Sequence, residues 1–177
     1  MKKLTFTAMI LSYSLYAIAQ DESPKNVVKI NPIGVIVGTA SLSYERAVSQ
    51  HSSIMISLTY GYFELEGDKY STFGLGFDYR YYFTGSKPAP RGWYVSPGLM
   101  YGGGNVKFNG GSEKVAVHGL SVKGVLGYQW IWKGGFTLDL DGGIQYFGYH
   151  AEENNQGVSN ASGVLPAIGI AIGYAFK

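Results

Sequence analysis

Cysteine is absent from this chain, so no disulfide can staple it and no thiolate can hold zinc. Charge of either sign is scarce. Fourteen Lys and Arg against twelve Asp and Glu leave a net charge of +2, too small to imply a nucleic-acid partner. Proline is rare, with six in 177 residues, and there is no low-complexity tract, which argues against disorder. After the N-terminus no apolar run has the length of a transmembrane helix. If the chain enters a membrane, it must do so as a closed barrel, because open sheet edges cannot sit in hydrocarbon. Catalytic motifs are missing too. No G-x-S-x-G, H-E-x-x-H or phosphate loop is present.

What is abundant is glycine and tyrosine, 26 and 15 residues, set in long alternating runs. The last strand reads V-L-P-A-I-G-I-A-I-G-Y-A-F from Val164 to Phe176. Large residues alternate with small ones, and a period of two means a strand with two different faces. Phe73, Leu75, Phe77, Tyr79, Tyr81 and Phe83 share one face of another strand, against Gly74, Gly76, Asp78, Arg80 and Tyr82. Six bulky side chains on one face are hard to bury in a small soluble domain, and are what a lipid-facing strand needs. About eight strands follow from this pattern: Val27–Val37 with a kink or bulge at Asn31-Pro32, Ser41–Val48, Ser53–Phe63, one centred on Phe73–Phe83, Trp93–Phe108, Val115–Trp132, one opening at Phe136, and Val164–Phe176. Polar loops are expected at Glu64–Ser71, Asn109–Lys114 and Ala151–Ser162. Aromatics cluster at the strand ends in two belts. One holds Tyr81, Phe83, Trp93, Trp130, Trp132, Phe136, Tyr174 and Phe176; the other holds Tyr60, Tyr62, Phe73, Tyr101, Tyr146 and Tyr149. Rings of this kind suit lipid headgroups.

The N-terminus has the form of a secretory signal. Lys2 and Lys3 precede a mostly apolar Leu4–Leu15, and Ala17-Ile18-Ala19 fits a small-x-small cleavage site. The expected organisation is a signal peptide over residues 1–19 and one domain over 20–177. The fold class is all-β: a closed antiparallel up-and-down transmembrane barrel of about eight strands. Short turns on one side and longer loops on the other place both termini in the periplasm.

Inward positions carry Glu45, Asp78, Arg80, Lys123, Asp139 and Asp141. An eight-stranded barrel is just wide enough for side chains to fill, and buried charges must be paired. The expectation is a plugging salt-bridge network around Arg80 and Lys123, with no open channel. Counting back from a turn at Lys133–Gly135 sets His118 opposite His150 at the outer rim. Two rim histidines are the expectation there, rather than a metal site. Ser121 follows His118 by three, so the two face opposite ways and make no nucleophile–base pair. No catalytic, cofactor-binding or metal-binding residue is assigned.

With Lys29-Ile30-Asn31-Pro32 followed by Leu42-Ser43-Tyr44-Glu45-Arg46-Ala47 in its first hairpin, the chain resembles the small eight-stranded outer-membrane β-barrels of Gram-negative bacteria. It is broadly like OmpX and the OmpA membrane domain, and more closely like a poorly characterised group of short, porin-like barrel proteins. The resemblance implies outer-membrane lipids as surroundings. It also implies insertion by the barrel assembly machinery, which reads a last strand ending in aromatics, here Tyr174 and Phe176. Lys177 after Phe176 departs from that ending. The function expected is non-enzymatic, in envelope integrity or surface contact. The alternatives are a lipid-modifying barrel enzyme and a secreted soluble lipocalin-like barrel.

Overall fold

A computed structural model describes residues 23–177 apart from 37, 66, 86, 108–113 and 154–156. The expected signal peptide lies outside the described residues. Eight antiparallel strands close into one barrel in sequence order: β1 Asn26–Ile30, β2 Thr39–Ala47, β3 Ser52–Leu65, β4 Asp68–Tyr82, β5 Gly92–Lys107, β6 Lys114–Ile131, β7 Phe136–Glu153 and β8 Gly157–Phe176. The wall closes where β1 meets β8, through Asn26↔Phe176 to Ile30↔Ile172.

Alternation decides which side chains enter the barrel. Phe77 is 47 % exposed on the outer wall, while its neighbour Asp78 is 1 % exposed inside. Leu126 likewise faces out, and Asp139 lies buried within. Along β6 and the residue that follows it, the outward apolar residues run from Leu120 to Trp132. At ~3.4 Å per residue and the usual tilt of about 40°, that stretch stands about 30 Å tall.

One end of the barrel, termed the floor, carries Asn26 and Phe176 with the turns after β2, β4 and β6. The other end, the rim, carries the turns after β1, β3, β5 and β7. At the rim the expected polar loops prove to be strand. β3 and β4 pair without a break up to Leu65↔Asp68, and Gly67 turns the chain with φ of 89°. β7 and β8 pair up to Glu153↔Gly157. Cross-strand hydrogen bonds carry these ladders past the apolar stretch, because polar residues pair as well as apolar ones when the neighbouring backbone is already in register. Loop length therefore does not distinguish the two ends. Of the expected loop Asn109–Lys114, only Lys114 lies within the described residues, in β6.

The first hairpin also differs from expectation. β1 stops at Ile30, and a short helix, α1 (Pro32–Ile36), follows. Asn31 is its cap: the Gly34 amide donates to Asn31 Oδ1 at 3.0 Å. Pro32 takes the first helical position, where its missing N–H costs nothing. Asn31-Pro32 is thus a helix start rather than a kink in a longer strand.

Candidate functional site

The floor half of the lumen is filled by a closed ring of four charges. Lys29 Nζ lies 2.7 Å from Glu45 Oε2 and 2.6 Å from Asp139 Oδ2. Arg80 Nη1 lies 3.4 Å from Glu45 Oε2 and 2.6 Å from Asp139 Oδ2. Each cation touches both anions, and the ring is neutral. Its members come from β1, β2, β4 and β7, so it ties opposite walls across the barrel axis.

Neutral donors and acceptors complete the ring. Tyr82 Oη donates to Glu45 at 2.6 Å, and Tyr94 Oη donates to Asp139 at 2.7 Å. Ser53 donates to the Oε1 of Glu45. Gln129 Oε1 accepts from Lys29 at 2.8 Å, and its amide nitrogen donates to the Pro90 carbonyl. The Arg80 guanidinium stacks over the Tyr94 ring, 4.3 Å from its centre. Ala89 and Pro90, in the β4–β5 connection, are buried beneath the ring and cover it from the floor side. A charge removed from water costs several kcal/mol unless partners replace its hydration; here each carboxylate receives two cations and at least one hydroxyl.

Four of the six expected lumen residues sit at or beside this ring. Glu45, Arg80 and Asp139 are in it. Asp141 is at its edge, 3.4 Å from Tyr94 Oη. Lys123 and Asp78 are not: they form a separate ion pair at 2.8 Å, nearer the rim. The second cation of the ring is Lys29, which the strand pattern did not assign to the lumen. A signal for it exists. Lys29 is the only charge in β1, on the same face as Val27, and Val27 pairs with Glu45. Tyr82, Tyr94, Ser53 and Gln129 were also missed as partners, since a hydroxyl or amide on the inward face does not announce a charge across the barrel.

Above the Lys123–Asp78 pair the lumen opens. Met100, Tyr149 and Leu165 occupy inward positions yet remain 37 %, 44 % and 52 % exposed, whereas Tyr94 in the floor half is 0 % exposed. Met100 and Tyr149 line a cavity of about 350 Å³. The expectation that side chains fill the lumen therefore holds for one half only. Tyr149 belongs to this inner wall, where its ring packs tilted against Phe147 with centres 4.9 Å apart, and not to the outer aromatic belt. Parity explains the reassignment: Tyr146 and Tyr149 are three apart and face opposite ways.

On the outer wall His118 pairs with His150, as the count from the turn required, with ring centres 5.8 Å apart. His150 Nδ1 meets Asn160 Oδ1 at 2.7 Å. Among the described residues no cluster of three metal-ligating side chains forms. Ser121 is buried on the inner face, away from both imidazoles. Tyr174 and Phe176, the expected assembly signal, end β8 at the floor, paired with Val28 and Asn26.

No match was found among curated proteins or among solved structures. One family model does match, described as a protein of unknown function (DUF3575), and it spans residues 4–160. With most of its length covered by that model, the chain belongs to the DUF3575 family.

Proposed function

We propose that the protein is a non-enzymatic, integral outer-membrane β-barrel, sealed at its floor by side chains, that contributes to envelope integrity or surface contact. The observation that carries this reading is the inversion of the barrel: large apolar side chains cover the outer wall, and paired charges lie within. A soluble lipocalin-like barrel would reverse both. The outer apolar stretch, about 30 Å tall, matches the hydrocarbon thickness of a bilayer. It ends coherently around the wall. Glu64, Ser71, Asn105, His118, His150 and Asn160 stand on the rim side of it on the successive strands β3 to β8. No helix among the described residues is long and apolar enough to cross a membrane, so any crossing rests on the strands.

Under this reading the cleaved signal exports the chain and the assembly machinery inserts it through the Tyr174–Phe176 end. The floor, with both ends of the barrel, lies in the periplasm, and the rim faces outward. The closed ring of charges leaves no ion path through the floor. Membrane fractions from cells making the protein test the reading. The barrel should require detergent for extraction and should shift in mobility on a gel between unheated and boiled samples. Recovery in the aqueous fraction without detergent would refute it.

A further inference from the structure

We infer that the rim half of the lumen is a binding cavity for a single acyl chain, loaded sideways from the bilayer; this rests on the membrane reading above. The cavity measures about 350 Å³ and is walled by β3 to β7. Met100, Gly102, Val117 and Tyr149 supply apolar surface, with Thr59 and Ser121 among the neutral polar groups, and none of its lining residues is charged. Sites of this size and lining take small, largely apolar ligands. An apolar cavity of about 150 Å³ accepts benzene, so this one has room for a chain of about a dozen carbons.

The way in is a seam in the wall. β1 meets β8 only from Ile30↔Ile172 towards the floor, yet β8 begins at Gly157. Among the described residues, β8 on the rim side of Ile172 has no β1 partner. Pro166, which lacks a backbone N–H, falls in this stretch, as prolines do on strand edges. Facing the seam is α1, an uncharged turn of helix, Pro-Ile-Gly-Val-Ile, that packs against β2 and β8. The seam can therefore part without breaking a ladder of hydrogen bonds. Val164 and Ile168 project outward beside it, so it opens at the height of acyl chains and not of water. An unpaired edge is tolerated in hydrocarbon only where protein covers it or where it lines a cavity. Here α1 covers it, packed against β8.

Photolabelling of the full chain in vesicles tests the inference. One set of phosphatidylcholine vesicles contains a phospholipid with a diazirine on its acyl chain; another receives diazirine-bearing dodecanoic acid from the aqueous side. The phospholipid probe should label outward Leu75 and Leu120, and also inward Met100 and Tyr149. Gly74→Phe should lower the inward labelling at least fivefold while leaving the outward labelling unchanged. A side chain fits at that position, because a Cβ on Gly74 would lie 3.6 Å from the Met100 sulfur and 3.7 Å from Thr59 Cβ. Outward labelling alone would overturn the cavity and leave the membrane reading standing. Inward labelling from dodecanoic acid alone would overturn sideways loading. Loss of labelling at Leu75 and Leu120 as well would overturn the membrane reading and this inference with it.

Discussion

The floor half and the rim half of the barrel share the same strands and the same alternation, yet their interiors differ. In the floor half the interior is dominated by long polar residues, Lys29, Glu45, Arg80, Tyr82, Tyr94, Gln129 and Asp139, each buried and bonded to another wall. In the rim half many are short or apolar, among them Gly74, Gly102, Gly104, Gly119, Met100 and Val117. Short side chains cannot reach across a lumen of this width, so the walls there do not meet. Rigidity is concentrated at one end of the molecule and free volume at the other. Removing one member of the floor ring leaves a charge buried without its partner; removing a rim side chain only enlarges a space that already exists.

The comparison can be broken most severely at the ring. Asp139→Leu leaves Lys29 and Arg80 sharing one carboxylate. It should destabilise the barrel by about 3–5 kcal/mol, the usual cost of breaking a buried pair from one side. Urea unfolding in detergent micelles would measure this, and a loss below about 1 kcal/mol would mean that the ring does not hold the walls together. The double variant Lys29→Met with Asp139→Leu removes one charge of each sign and should recover most of the loss. The outer wall offers the next largest effect. Leu126→Arg places a charge in the middle of the apolar stretch and should cost about 2–4 kcal/mol in folding into vesicles, against about 0–1 kcal/mol for His118→Arg near its edge. Equal costs would place the two residues at the same depth.

Smaller still is a matched pair of tyrosines inside. Tyr94→Phe deletes the hydroxyl bonded to Asp139 and should cost about 1.5–3 kcal/mol, as for a hydrogen bond to a charged group. Tyr149→Phe should stay within about 0.5 kcal/mol, because that ring borders open space. Similar values for the two would erase the distinction between a packed floor and a hollow rim.

Much of this was legible in the residues themselves. The period of two put Phe77 outside and Asp78 inside, and the three-residue turn at Lys133–Gly135 put His118 opposite His150. These are local facts, fixed by the pleat of one strand or the geometry of one hairpin. The extent of the strands was less legible, since polar rim segments such as Glu64–Ser71 carry turn-like composition yet pair because their neighbours are aligned already. What the sequence by itself determined was the face each side chain takes and the sign of the charges that enter. Which charges meet was decided only by the tertiary structure. Lys29 joins Asp139 from 110 positions away, while Lys123, on an equally inward face, is held at another height and pairs with Asp78. Closure staggers the strands, and that stagger sets the level of every inward side chain. It belongs to all eight strands at once, so no single stretch of sequence records it.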